Sequence, residues 1–305
     1  MSKIRIFNPF FSTTEMFAKL FMAILLVILS PLNSHAAEIL LPLYSYPSHW
    51  SAATYLWDDV AAGASQVPIT AIINPDSGPG NGPPNADYQV GLNTLRNAGV
   101  TMLGYVATGY GNRNSAAVKA DIDIYDTQFN IDGIFLDEAS SGYPNAGAAG
   151  YYEDLYTYIH GKANLDSVVI NPGTQTNETF FTRPATDISV IFESNTGWPS
   201  YTADPYLSSY GENNFSALMY QVPDATTMRS YIDLAVSRNV GYLYVTDDGS
   251  DGNPWDSLPS YWQEELNYLE TLNTVPVPAA LPLFASGLVG LSLLRRRQKI
   301  LSSVR

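Results

Sequence analysis

The sequence predicts an α/β fold, a (β/α)8 TIM-type barrel formed by a single domain. Short apolar runs alternate with segments that carry apolar residues at helical spacing, and this alternation is typical of parallel strands joined by right-handed crossovers. Eight such runs occur within residues 37–274, whose 238 residues are close to the length of about 250 that is typical of this barrel. No boundary rich in Pro, Gly or Ser divides this segment. An open doubly wound sheet is the structural alternative.

Each apolar run predicts a strand because it is short and ends abruptly in Gly, Pro, Asn, Asp or an aromatic residue. In chain order, the predicted strands are Ile39–Pro47, Ile69–Pro75, Thr101–Gly109, Gly133–Glu138, Ser167–Pro172, Ile188–Ser194, Ala217–Val222 and Val240–Asp247. The segments between them predict helices where apolar residues recur at helical spacing. These segments include Ala86–Ala98, Ala116–Gln128, Gly147–Ala163 and Thr226–Arg238.

Residues 1–36 predict a secretory signal peptide. A positively charged start precedes the apolar run Leu20–Leu29. Ser34 and Ala36 then place small residues at the −3 and −1 positions of a cleavage site. We therefore expect signal peptidase to release a chain that begins at Ala37. An uncleaved amino-terminal anchor is the alternative.

Residues 275–305 predict a sorting tail that spans the membrane. The apolar stretch Val275–Leu294 has about the length that spans a bilayer, and the basic cluster Arg295–Arg297 follows it. The proline motif, the apolar segment rich in small residues and the arginine cluster resemble the PEP-CTERM sorting signal of Gram-negative bacteria, which an exosortase cleaves near the prolines. Val277 stands where that motif often has Glu. A permanent carboxy-terminal anchor is the alternative, and either outcome implies export.

The distribution of charge argues against nucleic-acid binding. The whole chain carries a formal charge of −14, but both ends are basic, so that residues 37–274 hold 7 basic and 28 acidic residues, a net charge of −21. Nucleic-acid recognition needs a basic surface, and polyanionic polysaccharides are disfavoured for the same reason. The absence of cysteine excludes disulfides, thiol nucleophiles and cysteine-ligated metals.

Other chemistries lack their motifs. Outside the predicted signal the chain has two histidines, His49 and His160, without the HxH or HExxH pairing that indicates zinc. The sequence contains neither a GxSxG nucleophile elbow nor a phosphate-binding glycine loop. The segment Asp247–Asp251 has some calcium-loop character but lacks the rest of an EF-hand loop. We therefore predict no metal and no cofactor.

Three carboxylates are the candidate catalytic residues. Asp137 and Glu138 end the apolar run that begins at Gly133, and Glu193 ends the run that begins at Ile188. The carboxyl ends of barrel strands share the face on which active sites lie. Strand alternation sends Asp137 and Glu138 to opposite sides unless a bulge intervenes, so Glu193 is the better partner to oppose Asp137. Glycoside hydrolysis needs two such carboxylates. The alternative is that these acids cap loops or pair with Arg, although basic residues are few.

Aromatic and polar side chains at the strand ends are candidate substrate-binding residues. Ring faces with a polar edge suit sugar rings, and amide groups suit hydroxyl or N-acetyl groups. The candidates are Tyr44, Tyr46, Asn74, Tyr105, Tyr110, Asn171, Trp198, Tyr220 and Asp247, and Trp255 also follows a strand end. For each tyrosine, packing in the core is the alternative.

Six motifs along the chain resemble the spherulin 4 family. They are Leu41–Pro47, Ile73–Gly80, Gly104–Val106, Asp132–Glu138, Asn171–Thr174 and Phe192–Glu193, and they extend over nearly all of residues 37–274 in matching order. That family is related to glycoside hydrolase family 135, so the resemblance implies a (β/α)8 fold and cleavage of a galactosaminogalactan-type exopolysaccharide.

The resemblance also implies roles for the three carboxylates, which match the family's acidic active-site residues. Asp137 would be the nucleophile or stabilising carboxylate, and Glu193 the general acid/base. Glu138 would orient or tune Asp137 through its like charge. The sequence does not determine which carboxylate has which role. It also does not determine whether the reaction retains or inverts stereochemistry.

Together these features predict an exported, endo-acting, galactosaminidase-like glycoside hydrolase at the cell surface or in the extracellular matrix of a Gram-negative bacterium. The expected partners are the polysaccharide, signal peptidase and an exosortase-type enzyme, and membrane contact is expected only through the terminal segments. A non-catalytic, surface-displayed polysaccharide-binding protein is the main alternative. A carbohydrate deacetylase is a third hypothesis, against which the lack of paired metal-binding histidines counts.

Overall fold

The computed structural model of the protein describes residues 37–47, 56–142, 148–249 and 252–273. The predicted signal peptide, the predicted sorting tail and His49 lie outside these ranges. Within them, no helix combines the length and the apolar character that a membrane crossing requires.

Eight strands within these ranges form a closed parallel barrel. They are β1 (Glu38–Leu43), β2 (Ile69–Ile73), β3 (Thr101–Ala107), β4 (Gly133–Asp137), β5 (Ser167–Ile170), β6 (Ile188–Ser194), β7 (Phe215–Met219) and β8 (Tyr242–Val245). Each strand pairs with the next in chain order, and β8 pairs with β1. The predicted (β/α)8 barrel is therefore confirmed, and the open doubly wound sheet is wrong.

Helices connect the strands in alternation. They are α1 (Leu56–Gly63), α2 (Ala86–Asn97), α3 (Ser115–Ile124), α4 (Ala149–His160), α5 (Thr179–Thr182), α6 (Ala225–Ser237) and α7 (Trp262–Asn273). A π-helical turn, Tyr125–Phe129, continues α3. In place of a long helix, the connection from β6 to β7 contains three short 3-10 helices, Trp198–Ser200, Pro205–Ser209 and Glu212–Asn214.

Side-chain caps fix where three of these helices begin. At α2 the side chain of Asn85 accepts the N–H of Tyr88, and at α3 the side chain of Asn114 accepts the N–H of Ala116. Asp224 caps α6 in the same way. Such caps satisfy N–H groups that the first turn of a helix leaves unpaired. These helices accordingly begin within one residue of the predicted positions.

Packing around the strands explains the glycine of the motif Gly104–Val106. A Cβ atom at Gly104 would lie 2.5 Å from the ring of Tyr125. That ring is fully buried, and its hydroxyl donates a hydrogen bond to the carbonyl of Ile73 at 3.0 Å. Tyr125 thus contacts both β2 and β3, and only glycine leaves room for it between them.

The junction between β8 and β1 has few strand pairs. β1 is in register with β2 over five residue pairs but with β8 over two. Further along β8, the N–H of Val245 donates to Oε1 of Glu265 at 3.1 Å. Glu265 lies on α7 and is fully buried, and its other carboxyl oxygen has no hydrogen-bond partner. A side-chain carboxyl group thus replaces a strand partner at this junction.

The buried position of Glu265 controls its protonation. Burial raises the pKa of Glu265 well above its usual range, and the hydrogen bond from Val245 opposes this rise only in part. The folded protein therefore holds the proton under conditions in which the unfolded chain releases it. Because the folded-state pKa is the higher one, stability is lost as the pH rises above the unfolded-state pKa.

We expect Glu265→Gln to stabilise the protein by an amount that grows with pH. Wild type loses about 1.4 kcal/mol of folding free energy per pH unit between the unfolded-state and folded-state pKa values of Glu265, whereas Gln does not titrate. Urea unfolding of both proteins between about pH 5 and pH 8 measures the difference. If the difference in unfolding free energy between variant and wild type stayed constant over this pH range, Glu265 would not hold a proton in the folded protein.

Candidate active site

Two of the predicted catalytic carboxylates meet at the carboxyl end of the barrel. Asp137 is the last residue of β4, Asn171 directly follows β5, and Glu193 lies near the end of β6. The side-chain Nδ2 of Asn171 donates hydrogen bonds to Asp137 Oδ1 at 2.8 Å and to Glu193 Oε2 at 2.6 Å. Both oxygens contact the same nitrogen atom, so they are at most 5.4 Å apart. Neighbouring parallel strands thereby bring together residues that are far apart in sequence.

The loop after β5 fixes the orientation of the Asn171 amide. Its Oδ1 accepts the N–H of Gly173 at 3.0 Å, so Nδ2 faces the two carboxylates. Gly173 has a φ of +63°, a left-handed conformation that favours glycine. The carbonyl of Gly173 in turn accepts the N–H of Glu193 at 3.0 Å. The turn therefore connects Asn171 and Glu193 through the backbone.

This geometry corrects the role predicted for Asn171. The sequence suggested that its amide binds hydroxyl or N-acetyl groups of a substrate. An amide nitrogen has two hydrogens to donate, and in the structure Asp137 and Glu193 accept both. Asn171 is buried and acts on the carboxylates rather than on a ligand.

Each carboxylate has a second neutral donor. The hydroxyl of Tyr105 donates a hydrogen bond to Asp137, and burial together with the charge of Asp137 raises the pKa of Tyr105, which keeps that proton in place. The side chain of Trp255 donates a hydrogen bond to Glu193, and the indole N–H is its only donor group. Sequence reasoning named Trp255 only as an aromatic residue after the last strand, and no local signal indicates its bond to Glu193.

The two carboxylates do not have equivalent environments. Burial raises the pKa of Glu193, and the charge of Asp137 raises it further, while the hydrogen bonds from Asn171 and Trp255 act in the opposite direction. Because burial is the largest of these effects, Glu193 keeps its proton to a higher pH than an ordinary Glu.

Glu138 adopts a conformation that breaks the strand alternation. Its φ is +49°, in the left-handed region. Its carbonyl accepts hydrogen bonds from Tyr110 N at 2.6 Å and from the Thr108 hydroxyl at 2.8 Å, which holds this turn in place. The side chain is exposed next to Asp137. The proposed tuning of Asp137 by the charge of Glu138 stays a prediction.

Basic side chains do not neutralise these carboxylates. All seven Lys and Arg residues of the segment 37–274 lie within the described residues. Four of them pair with other acids, in Arg113–Asp121, Lys119–Asp154, Lys162–Asp123 and Arg183–Glu153. Among the described residues, no ion pair reaches Asp137, Glu138 or Glu193. Within the described ranges, the alternative that these three acids pair with Arg therefore has no support.

Several predicted aromatic residues lie around the carboxylates. The ring of Tyr44 meets that of Tyr105 edge-on at 5.7 Å. Burial, followed by the nearby charge of Asp137, raises the pKa of Tyr44 well above its usual range. The ring of Tyr220 meets that of Trp255 at 5.7 Å in the same edge-on manner. Tyr44 and Tyr105 therefore lie beside the carboxylate pair, whereas Tyr220 packs against Trp255.

Other predicted residues lie further out. Tyr46 and Tyr110 are exposed by 50% and 64%, respectively. The Tyr46 hydroxyl donates to Asp87 at 2.9 Å, which fixes its ring beside α2. Asn74 accepts the N–H of Gly78 at 3.0 Å and holds the loop after β2. Tyr46 and Tyr110 thus present ring surface to solvent.

Two of the predicted substrate-binding residues have structural roles. Trp198 is only 1% exposed, its indole N–H donates to the carbonyl of Tyr231 at 3.0 Å, and the guanidinium of Arg238 covers its ring at 4.5 Å. Asp247 accepts hydrogen bonds from both the N–H and the hydroxyl of Ser260, so both of its oxygens hold the segment that leads into α7. A buried ring cannot contact a ligand, so the prediction for Trp198 is corrected. Asp247 is partly exposed, and its role in substrate binding stays a prediction.

Comparisons with known proteins place the chain in a family. Residues 38–269 match the model of the spherulation-specific family 4. Spherulin-4 of Physarum polycephalum is 35% identical over 252 residues, which cover 79% of this chain and 72% of that protein. The chain therefore belongs to the spherulation-specific family 4.

A solved structure has the same fold. The crystal structure of Aspergillus clavatus Sph3 in complex with GalNAc superposes with a TM-score of 0.65 and 24% sequence identity. The match covers 77% of this chain and 98% of that one. At this level of identity the likeness concerns the fold of the barrel.

We expect Asn171→Ala to raise the pKa of Glu193, because it removes a hydrogen bond that favours the ionised form. It should also lower the free energy of unfolding at neutral pH by about 1–3 kcal/mol, since two partly buried carboxylates lose a donor. NMR titration of the ¹³C-labelled Glu193 carboxyl group and urea unfolding measure the two effects. Asn74→Ala, which removes an amide hydrogen bond in the loop after β2, is the matched control and should leave the Glu193 titration unchanged. If the pKa of Glu193 were the same in both variants, the hydrogen bond from Asn171 to Glu193 would be contradicted.

Proposed function

We propose that this member of the spherulation-specific family 4 is an exported glycoside hydrolase that cleaves an amino-sugar exopolysaccharide with Asp137 and Glu193. The main support is the pair of hydrogen bonds that the Asn171 amide donates to Asp137 and Glu193, because they keep two carboxyl oxygens within 5.4 Å of each other. The pair lies at the end of the barrel on which active sites of this fold occur. Glycoside hydrolysis needs a pair of this kind.

Different environments suit the two carboxylates to different roles. Burial raises the pKa of Glu193, so this residue retains a proton for the leaving oxygen where an ordinary Glu is ionised. Asp137 accepts a hydrogen bond from Asn171 at 2.8 Å, which holds its carboxyl group beside Glu193. We therefore assign Glu193 as the general acid/base and Asp137 as the nucleophile.

The spacing supports a retaining mechanism. Carboxyl groups of retaining enzymes are about 5–5.5 Å apart, whereas inverting enzymes need about 6.5–9.5 Å to admit a water molecule. Asp137 Oδ1 and Glu193 Oε2 lie within 5.4 Å. Asp137 attacks the anomeric carbon while Glu193 protonates the leaving oxygen, which gives a glycosyl ester. Glu193 then takes a proton from water, and the water oxygen displaces Asp137 from the sugar.

Charge and exposed side chains support an amino-sugar polymer as the substrate. The net charge of −21 in residues 37–274 and the exposed Glu138 favour the ammonium groups of a partly deacetylated chain. The exposed rings of Tyr46 and Tyr110 suit sugar units beyond the cleavage point, in keeping with endo-action. The related Aspergillus clavatus protein was crystallised with GalNAc. We infer a polymer that contains galactosamine and N-acetylgalactosamine.

The terminal segments support export to the cell surface or the extracellular matrix. Signal peptidase would remove residues 1–36, and an exosortase-type enzyme would process the tail at residues 275–305. Membrane contact would be confined to these segments. The enzyme would then act on the polysaccharide matrix of a biofilm outside a Gram-negative cell.

One observation favours a second candidate function. Tyr110 is 64% exposed and adopts a φ of +57°, so the fold maintains an unfavourable backbone conformation that presents an aromatic ring to solvent. A surface-displayed protein that binds the polysaccharide without cleaving it would use such a ring in the same way. Binding without turnover distinguishes the two functions.

We expect Asp137→Asn and Glu193→Gln each to reduce the release of reducing ends from partly deacetylated galactosaminogalactan by about 10³-fold or more, because each removes a group that acts in the transition state. Glu265→Gln removes a fully buried carboxyl group outside the site and is the control that should retain activity. No release by wild type, or undiminished release by the two site variants, would contradict the proposed hydrolase.

The first product should retain the anomeric configuration of the cleaved bond. Proton NMR of the anomeric signals, recorded at short times before mutarotation, measures this directly. The short distance between the two carboxyl oxygens is the reason for the expectation. Initial appearance of the opposite anomer would overturn the assignment of Asp137 as nucleophile.

A further inference from the structure

Two buried hydroxyl groups contact the turn that follows Asp137. They belong to Thr108, which follows β3, and to Tyr152 of α4, and neither residue is accessible to solvent. Their hydroxyl oxygens lie 3.0 Å apart. Neither residue takes part in the proposed hydrolysis. A buried hydroxyl costs free energy unless it is hydrogen-bonded, so the partners of this pair indicate what it holds in place.

The partners of Thr108 are two consecutive peptide groups of the turn. Its hydroxyl lies 3.0 Å from the carbonyl oxygen of Asp137 and 2.8 Å from that of Glu138. The backbone N–H of Thr108 also donates to the carbonyl of Asp137 at 2.9 Å. One residue therefore fixes the backbone on which the predicted nucleophile and its neighbour are carried.

Tyr152 determines the direction of the Thr108 hydroxyl. The N–H of Ser140 donates to the hydroxyl oxygen of Tyr152 at 2.9 Å, so Tyr152 is an acceptor there. A threonine hydroxyl has one proton, and the two carbonyls of the turn accept it. Tyr152 therefore donates its own proton to Thr108 Oγ1. The ring of Tyr152 packs against that of Phe180 at 5.5 Å, which keeps its hydroxyl in this position.

The turn depends on such contacts because Glu138 has a φ of +49°. A residue with a side chain keeps this left-handed conformation only where its surroundings impose it. The next N–H, from Ala139, donates to the carbonyl of Asn171 at 2.9 Å. The amide of Asn171 in turn contacts both carboxylates. The geometry of the turn therefore affects Asp137 directly and the pair of carboxylates through Asn171.

We propose that Thr108 and Tyr152 are positioning residues for Asp137. By holding the left-handed turn, they set the distance between its carboxyl group and that of Glu193. The proposal rests on the proposed function, since it assigns both residues a task in the same reaction. Without the Thr108 hydroxyl, the turn relaxes towards an ordinary backbone conformation. Because two carboxylates repel each other, this relaxation increases their separation.

A wider separation has two measurable consequences. Asp137 then reaches the anomeric carbon less well while Glu193 protonates the leaving oxygen, so kcat falls more than KM rises. The charge of Asp137 also helps to raise the pKa of Glu193, so this pKa falls and the basic limb of the pH–rate profile moves to lower pH. Tyr44 and Tyr105, which also interact with Glu193, have raised pKa values and stay neutral.

Thr108→Val in the full-length protein tests this, because valine has nearly the shape of threonine and lacks the hydroxyl. We expect kcat to fall by about ten-fold or more, with a smaller change in KM and a basic limb at lower pH. Thr108→Ser keeps the hydroxyl and should retain most of the kcat that Thr108→Val loses. An equal loss in Thr108→Ser, or an unmoved basic limb in Thr108→Val, would overturn the proposal.

Thr186→Val is the matched control. Thr186 is also buried, and its hydroxyl contacts two carbonyls, those of Val168 at 3.1 Å and Ile188 at 2.5 Å, at the amino ends of the strands. Thr186→Val should lower the midpoint of urea unfolding, as Thr108→Val does, but leave kcat and the pH profile unchanged. A similar loss of kcat in this control would show that lost stability, and not lost positioning, explains the effect.

Tyr152→Phe interrupts the same chain of hydrogen bonds and keeps both carbonyl contacts of Thr108, so it is the milder variant. We expect it to lower kcat less than Thr108→Val does, and to cause no further loss when the two are combined, because both act through one hydroxyl. Additive losses in the double variant would contradict a single chain of hydrogen bonds.

A measurement that needs no activity separates this proposal from the hydrolase proposal. In Thr108→Val and Tyr152→Phe, the ¹³C-labelled carboxyl group of Glu193 should titrate at lower pH than in wild type, and in Thr186→Val at the same pH. If wild type releases no sugar but these midpoints fall, the hydrolase proposal fails and the positioning of Asp137 is upheld. If wild type is active and the midpoints do not move, the positioning role is overturned.

Discussion

The hydrogen bonds from the side-chain amide of Asn171 to two carboxyl groups are the interaction on which the rest of the site depends. Two partly buried carboxylates at short distance repel each other and each lose part of their hydration, so hydrogen-bond donors stabilise the pair. The amide supplies one N–H to Asp137 and one to Glu193. It can do so because β4, β5 and β6 are neighbours and end at the same face of the barrel.

Neutral donors rather than cations stabilise this pair, which affects its chemistry. A guanidinium group beside Glu193 would favour ionisation and deprive the site of an acid. Tyr105 and Trp255 donate without carrying charge, so burial dominates and the pKa of Glu193 stays raised. The basic residues of this acidic segment instead form ion pairs such as Lys119–Asp154 elsewhere on the barrel.

The sequence allowed the barrel and the meeting of Asp137 with Glu193 to be predicted, because both follow from the order of elements. Eight short apolar runs alternating with helical segments indicate parallel strands, and parallel strands place their carboxyl ends on one face. The predicted start of a helix also agrees with the structure where a neighbouring side chain caps it, as Asn85 caps α2. These features depend on spacing along the chain and on chemistry within a few residues.

The roles of individual side chains at the strand ends could not be predicted in the same way, because position after a strand does not determine direction. Trp198 follows β6 but turns away into packing beneath Arg238. Trp255 follows β8 and lies near Glu193. The residues around Trp255 carry no local signal that distinguishes it from Trp198. The difference arises at the gap between β8 and β1, where few strand pairs form and the N–H of Tyr44 donates a hydrogen bond to the carbonyl of Trp255. An incomplete barrel junction, visible only once the strands are in register, thus determines which tryptophan reaches the carboxylates.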